Sequence, residues 1–178
     1  MFMALFPKVQ EKCFSEINEV IGTKPPSIED MPKLTYIMAT CMEIQRYSLV
    51  AQATLSHRLT QDTEYGQYKF KKGTMFFANL DKFLNDPSEF PEPKKFIPER
   101  FMENGILQKK DHFVPFGVGK RICMGESLAK NELFVFFVRI LQRLQFKVIE
   151  GQEPSPKNYV SGVTRIPDPF NVKIIPRN

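Results

Sequence analysis

The chain has 178 residues and a formal net charge of +5, with 42% hydrophobic and 25% charged residues. This composition is typical of one ordinary globular domain. No apolar run approaches the ~18 residues of a membrane span, and the short apolar start lacks the features of a signal peptide. Three widely spaced cysteines exclude a disulfide framework and a paired zinc site, which favours a reducing, intracellular compartment. The basic residues form no concentrated stripe, so no nucleic-acid surface is predicted.

Two helices are predicted in the first fifty residues. Pro7 suits the first position of a helix and Gly22 the residue after its end, which predicts a helix over 7–22. A second helix is predicted over 31–50, beginning near Pro32. Each has apolar residues at helical spacing and should bury one face. These residues are Val9, Cys13, Ile17, Val20 and Ile21 in the first helix, and Leu34, Ile37, Met38 and Cys41 in the second.

Short strands and irregular backbone are predicted in the middle of the chain. Residues 53–78 have β-like stretches with turns at Gly66 and Gly73, which predicts a small antiparallel sheet. Residues 86–115 are rich in proline and are predicted to form an irregular meander.

The last third is predicted to contain a glycine-kinked loop, a helix and a β-hairpin. The loop over 116–125 leads into a helix over 125–145 that is apolar nearly all round, which predicts that it is buried in a sizeable structure. The tail over 159–176 is predicted to form a hairpin with a turn near Gly162. The predicted fold class is therefore mainly α with small antiparallel β-sheets, α+β.

The sharpest chemical signal is a single cysteine in the predicted loop: Phe116-Gly117-Val118-Gly119-Lys120-Arg121-Ile122-Cys123-Met124-Gly125. A following helix N-terminus and Arg121 both favour a thiolate at Cys123. That thiolate has three uses open to it: a nucleophile, a redox sensor, or the single axial ligand of a haem iron. A buried structural cysteine is the alternative without chemistry. The glycines bear on the choice, because a flat macrocycle near the backbone needs side chains removed.

This loop resembles the haem-binding loop of the cytochrome P450 family, in which the cysteine is the proximal thiolate ligand. Two further motifs of that family follow the expected order: residues 43–46, Glu-Ile-Gln-Arg, resemble its Glu-x-x-Arg helix, and residues 98–101, Pro-Glu-Arg-Phe, its meander motif. Glu43 and Arg46 are three apart, so they share one helix face and can pair. The resemblance implies that Arg100 joins them in a buried structural network beneath the haem loop.

The resemblance also implies a cofactor and a set of residues around it. The cofactor is haem b, with Cys123 as axial ligand of the iron. His57, eleven residues after Arg46, and Arg121 are implied as partners of the haem propionates, although Ser56 stands where the family often has proline. The remaining implied haem-site residues are Phe116, Gly117, Gly119, Gly125 and Ala129, while His112 matches no family position.

Two segments resemble substrate-contact regions by their position. The apolar candidates are Val50, Ala51, Leu55 and Val163, whose side chains suit a lipophilic small molecule. Ordinary packing in a core is the alternative interpretation of the same residues.

The similarity extends from about Phe6 to Arg177 and is strongest to the animal microsomal branch, which oxidises drugs, fatty acids and sterol-like compounds. It implies that the chain is the C-terminal, haem-binding part of the fold, one partial domain over 1–178. The membrane anchor and the oxygen-activating helix of the family would then lie outside it. The implied activity is monooxygenation on the cytoplasmic side of the endoplasmic reticulum, and without an anchor this chain is expected in the cytoplasm.

The implied electron donor is an NADPH–cytochrome reductase, with a cytochrome b as a possible second partner. The basic residues Lys109, Lys110, Lys120 and Arg139 form a candidate docking patch for an acidic partner. Two alternatives stay open: a truncated haem-binding fragment without turnover, and a hydrolase that uses Cys123 with a histidine.

Overall fold

The computed structural model describes residues 1–162 and 164–177, with only the backbone of Ser161. The helices are α1 Phe2–Leu5, α2 Pro7–Val20, α3 Thr35–Ser48, α4 Leu80–Leu84 and α5 Glu126–Arg143, with 3₁₀ turns at Ile28–Lys33, Pro98–Phe101 and Gly119–Arg121. The described strands form antiparallel pairs: β1 His57–Arg58 with β4 Met75–Phe76, β2 Thr63–Tyr65 with β3 Tyr68–Phe70, β5 Met102–Glu103 with β6 Ile106–Leu107, β7 Leu144–Val148 with β10 Val172–Pro176, and β8 Tyr159–Ser161 with β9 Arg165–Pro167. The predicted fold class is confirmed.

The connection between α2 and α3 differs from the prediction. Helix α2 ends at Val20, and Gly22 follows its cap with φ +60°, a geometry that glycine adopts without strain. The Gly22 N–H donates to the Ile17 carbonyl at 2.9 Å. The second helix was predicted from residue 31, but residues 28–33 form a 3₁₀ turn. Leu34 leaves the helical region with φ −100° and ψ +66°, so α3 begins only at Thr35.

The turn before α3 is closed by its own side chains. The Ser27 hydroxyl accepts from the Glu29 N–H at 3.4 Å, and the Asp30 carboxylate accepts from the Ser27 N–H at 3.1 Å. The second bond lowers the pKa of Asp30. This reciprocal capping makes the turn a complete unit, and it explains why Pro32 marks the turn rather than the start of α3.

The main core lies where α2, α3 and α5 pack together. Each helix contributes one apolar stripe, and α1 and the meander cover its edge. Its buried members are Phe2, Met3, Cys13, Ile17, Ile21, Leu34, Tyr36, Ile37, Cys41, Phe96, Phe134, Val138 and Leu141. None of the helices in the described part is long and apolar enough to cross a bilayer.

A second, smaller core lies on the other side of α3. It joins that helix to α4 and to the meander, and its buried members are Ala39, Leu49, Leu80, Leu84, Phe90 and Phe101. Helix α4 was not predicted, because five residues carry too little periodicity to identify a helix. The two cores hold α3 from opposite sides, so this helix is the reference frame for the meander.

Helix α5 is buried on one face only, although its apolar pattern predicted burial in a sizeable structure. Phe134, Val138 and Leu141 pack into the core, whereas Phe136 is 64% exposed and Leu128 63% exposed. The reason is that α2 and α3 both lie on the same side of α5, so its other side has no cover within the described chain.

The tail was predicted correctly only in part, because a hairpin begins at Tyr159 but ends at Pro167. The hairpin predicted over 159–176 comprises only β8 and β9, while β10 pairs with β7 in the register Val172↔Val148 to Pro176↔Leu144. Strand β7 was missed because α5 ends at Arg143 and passes directly into extended backbone at Leu144. The paired strands lie beside α1 and α2.

Candidate functional site

The loop that carries Cys123 is a short, folded-back segment. The Cys123 N–H donates to the Phe116 carbonyl at 2.9 Å, which closes the loop across its base. Gly117 and Gly119 have φ values of +79° and +71°, a region that residues with a side chain rarely adopt. Both glycines are therefore required by the backbone path of the loop.

Cys123 differs from the other two cysteines in its surroundings. Its thiol is exposed, whereas Cys13 and Cys41 are buried. Burial raises the pKa of Cys13 to about 12, and it also raises the pKa of Cys41. Cys123 lies three residues before the first residue of α5, with Gly125 at the helix cap. It is therefore the cysteine that is accessible as a thiolate ligand or nucleophile.

The loop fits a planar group that is held by one thiolate. A side chain at Gly117 or Gly119 would meet no atom within 4 Å, so the space above these residues is open. A Cβ at Gly125 would lie 3.9 Å from the Cys123 sulfur. No group of three or more metal-ligating side chains occurs among the described residues. A haem iron suits this arrangement, because the macrocycle supplies the other ligands and the protein needs to offer only one.

The other predicted haem-site residues differ in their burial and in their contacts. Phe116 is half-buried with the Lys130 ammonium 5.8 Å from its ring centre, and Ala129 is half-buried in the first turn of α5. Arg121 is exposed and its side chain makes no hydrogen bond or ion pair within the described part of the chain, so its guanidinium is available to an acidic group. His57 is half-buried in β1 with its ring 5.6 Å from that of Phe76. In the described chain no hydrogen bond or ion pair joins His57 to the loop.

The predicted network of Glu43, Arg46 and Arg100 is assembled and buried. Arg46 donates from Nε and Nη2 to the two oxygens of Glu43 at 2.7 and 2.9 Å, a bidentate pair. Arg100 donates from Nε to Glu43 Oε1 at 3.1 Å, and the Ile97 N–H donates to the same oxygen at 2.9 Å. The side chains of Glu43 and Arg46 have no exposed surface, and that of Arg100 is 6% exposed.

The two arginines also bind the backbone of the meander. Arg46 reaches three carbonyl groups and Arg100 a similar set, so each guanidinium links the carboxylate to the loop above it. The accepting carbonyls are those of Leu84, Pro93 and Lys95 for Arg46, and those of Pro91, Glu92 and Lys95 for Arg100. The network therefore fixes a segment without regular secondary structure, which satisfies backbone groups that no strand partner could.

The two predicted substrate-contact segments lie side by side. The Arg165 N–H in β9 donates to the Val50 carbonyl at 2.7 Å, which joins the tail to the segment after α3. Val50 is 56% exposed, Leu55 is 77% exposed, and Ala51 is half-buried. None of these three residues belongs to either core, so the structure does not support the alternative interpretation that they pack in a core. Val163 lies outside the described residues.

A cavity of about 630 Å³ lies on the α3 side of the loop. Its walls come from α3, from the end of the meander and from the first turns of α5, and they include Gly117, Gly119 and Ile122 of the loop. Cys123 and Phe116 are not among the described residues that line it.

Three residues that support the site were not predicted from the sequence. Glu16 of α2 accepts from the N–H groups of Tyr36 and Ile37, each at 2.8 Å, and so caps the N-terminus of α3 from another helix. Leu49 ends α3 in the left-handed region with φ +38°, an uncommon conformation for a bulky residue. Arg165 joins the tail to the segment after α3. No local pattern identifies the roles of Glu16 and Arg165, because their partners are distant in sequence.

Comparisons with known proteins were consistent along the whole chain. A model of the family described as Cytochrome P450 matches residues 1–174. The chain is 41% identical over 180 residues to cytochrome P450 2C44 of Mus musculus, 40% over 178 residues to cytochrome P450 2J1 of Oryctolagus cuniculus, and 39% over 181 residues to cytochrome P450 2E1 of Sus scrofa. These alignments cover 99%, 99% and 100% of this chain, and 36%, 35% and 37% of the relatives. The chain thus spans little more than a third of the length of the curated relatives that it matches.

Proposed function

Because the chain belongs to the cytochrome P450 family, we propose that it supplies the haem-thiolate part of a monooxygenase, with Cys123 as the axial ligand of haem b. The observation that carries this proposal is the contrast among the cysteines: the one in the family loop is exposed, and the other two are buried. Bound haem would supply the binding and reduction of dioxygen. The chain's own residues would hold the iron through one sulfur and keep the group oriented.

The overall reaction is the insertion of one oxygen atom into a C–H bond of a lipophilic substrate. The other oxygen atom leaves as water, so one dioxygen consumes two electrons and two protons in addition to the substrate. NADPH would supply the electrons through a reductase. The exposed apolar side chains of Val50 and Leu55, on a segment outside both cores, support a lipophilic xenobiotic, fatty acid or sterol-like substrate.

The residues around the thiol would have separate roles. Arg121 is free to pair with a haem propionate, for which a guanidinium is well suited. His57 is the second candidate for a propionate, from β1. Glycines at 117, 119 and 125 would leave room for the macrocycle, while Phe116 and Ala129 would pack against it. The buried Glu43–Arg46–Arg100 network would hold the meander in place and would not take part in the reaction.

A reductase would dock through complementary charge near the loop. Lys120 is exposed in the loop itself, and Lys109 and Lys110 line the same cavity as Gly119, the residue before Lys120. Such a cluster suits an acidic partner. Arg139 fits the patch less well, because its guanidinium donates to Gln142 at 3.1 Å and is half-buried.

The test of the proposed ligand is the spectrum of the reduced, haem-loaded protein under carbon monoxide. A thiolate ligand raises the electron density on iron and gives a distinctive red-shifted band. Replacing Cys123 by serine should abolish this band, while Cys13→Ala and Cys41→Ala, as matched controls, should retain it. A red-shifted band in Cys123→Ser would exclude Cys123 as the ligand. The hydrolase alternative would instead require a hydrolytic activity that thiol alkylation abolishes.

A second candidate function is haem binding without turnover by these 178 residues. The exposed apolar face of α5, with Phe136 and Leu128 uncovered, favours it, because such a face normally packs against another segment. In that case the haem would be weakly held and wet on one side, and bound oxygen would be lost without oxidising a substrate. Reconstitution with reductase, NADPH and lauric acid separates the two: carbon-monoxide-sensitive product formation by this chain alone would favour the complete activity.

A further inference from the structure

The segment that follows α3 is held between two other parts of the chain. On one side, the Thr54 N–H donates to the Ala78 carbonyl at 3.0 Å, and the Asp81 N–H donates to the Gln52 carbonyl at 3.1 Å. On the other side, the Val50 carbonyl accepts from the Arg165 N–H at 2.7 Å. The segment is therefore bonded to α4 and its approach on one side, and to β9 of the tail on the other.

The side chain of Arg165 crosses this segment and reaches α4. Its Nη2 donates to the Gln52 side-chain oxygen at 2.9 Å and lies 3.4 Å from an oxygen of Asp81. Its guanidinium lies 4.5 Å from the ring centre of Tyr159 in β8. Only 15% of the side chain is exposed. One arginine thus joins β8, β9, the segment after α3, and α4.

The bonding of this guanidinium is incomplete. Its Nε is buried and has no hydrogen-bond partner in the described part of the chain. The partner Asp81 is 40% exposed, so solvent screens the ion pair. A buried donor without a partner costs stability, which means that Arg165 is a poor choice for stability alone. What its contacts do provide is a defined distance between the two segments.

The residues on either side of Arg165 expose apolar side chains. Val50 and Leu55 lie on one joined segment, and Val160 and Ile166, which are 63% and 61% exposed, lie on the other. Strands β8 and β9 have three residues each, too few to hold their own position. The contacts of Arg165 therefore contribute to the relative position of these apolar side chains.

We propose that Arg165 is a positioning residue that sets the spacing of the two apolar segments and thereby determines which carbon of a substrate is oxidised. This rests on the proposed monooxygenase function. Arg165 itself does not contact the substrate in this proposal, because its donors face Gln52 and Asp81. Its loss should move the tail relative to α4 and alter the selectivity of oxidation, while the thiolate loop keeps its structure.

The first arm of the test is amide hydrogen exchange on the 178-residue chain. Arg165→Leu should accelerate hydrogen exchange over residues 159–167 by on the order of 10-fold, because local opening of this segment becomes easier without the side-chain contacts of Arg165. Exchange at Ile97, whose N–H is bound by Glu43, should stay unchanged. Arg143→Leu removes an exposed guanidinium from α5 and serves as the matched control. Unchanged exchange over 159–167 in Arg165→Leu would overturn the proposal.

The second arm uses the haem-loaded enzyme that contains this sequence, with reductase, NADPH and lauric acid, whose chain offers several oxidisable carbons. Arg165→Leu should retain the carbon monoxide band and change the ratio of product isomers by at least about threefold. Arg165→Lys keeps the charge near Asp81, so its ratio of product isomers should lie between that of Arg165→Leu and that of the unaltered enzyme. A retained band with an unchanged ratio, or an equal loss of the band in both variants, refutes positioning. If the unaltered protein lacks the carbon monoxide band, the proposed function is contradicted. The hydrogen-exchange experiment then tests by itself whether Arg165 positions the tail.

Discussion

Replacing Glu43 by glutamine perturbs the ion-pair network with the smallest change of shape. The carboxylate of Glu43 is fully buried and accepts four hydrogen bonds, three of them from Arg46 and Arg100. Glutamine keeps one acceptor oxygen but turns an NH₂ group towards an arginine donor. It also leaves two buried guanidinium groups without a counter-charge. Removing one partner of a buried pair costs about 3–5 kcal/mol, so Glu43→Gln should lower the free energy of unfolding by that amount.

The measurement is urea denaturation of the chain, followed by far-ultraviolet circular dichroism. A matched control is Glu64→Gln, which breaks the ion pair with Lys69 between two side chains that are 68% and 79% exposed. That substitution should cost about 0–1 kcal/mol. The double variant Glu43→Gln/Arg46→Met should recover part of the loss, because the uncompensated charge of Arg46 is then removed. The network is dispensable if the free energy of unfolding of Glu43→Gln lies within about 1 kcal/mol of that of the unaltered chain, which is the range expected for the control.

Three other substitutions or treatments test the supports of the site. Glu16→Ala removes the cap of α3 and should lower the unfolding free energy by about 1–2 kcal/mol, with Glu19→Ala as an exposed control; an equal effect of both would contradict the capping role. Gln10→Leu removes the partners of the Phe146 N–H and carbonyl groups, which should lower the unfolding free energy by about 1–3 kcal/mol for each group. It should also accelerate hydrogen exchange in β7, and unchanged protection of β7 in this variant would show that Gln10 is not needed. A thiol reagent at pH 8 should modify Cys123 in the folded, haem-free chain and leave Cys13 and Cys41 unmodified, because burial raises the pKa of Cys13 and of Cys41. Mass spectrometry after digestion identifies the labelled residue. Early labelling of Cys41 would refute the assigned burial.

The sequence predicted the parts of the fold that depend on local periodicity. Helix α2 lies between a proline and a glycine that mark its two ends. Both α2 and α3 bury most of the apolar stripes that their spacing indicates, but Val20, which was predicted in the stripe of α2, is 38% exposed. The pairing of Glu43 with Arg46 follows from helical spacing alone. Arg100, 57 residues from Glu43, came from the resemblance, because no spacing rule joins a helix to a distant loop.

The errors arose where the structure depends on distant contacts. Strand β7 pairs with β10 across 24 to 32 residues of chain, and the Gln10 side chain, 136 residues from Phe146, binds the backbone of β7. The apolar pattern of α5 does not by itself predict which of its faces is exposed, because an apolar helix surface does not show which neighbours cover it. The carbonyl partners of the two arginines carry no side-chain signal at all. The roles assigned to the haem-site residues stay predictions until the haem-loaded protein is measured.

The thiolate loop contributes little to its own stability, so its position depends on what lies at its two ends. No residue of its 3₁₀ turn is buried, and backbone hydrogen bonds close it. At its far end, α5 is fixed by Phe134 and Val138 in the main core. At its near end, Phe113 packs against Phe101 with ring centres 4.9 Å apart, and Phe101 adjoins Arg100. A change at Glu43 can therefore displace the start of the loop through Arg100 and two packed rings, while its glycines and cysteine stay unaltered. Through this path, a network that does not contact the thiol can affect the position of the thiol.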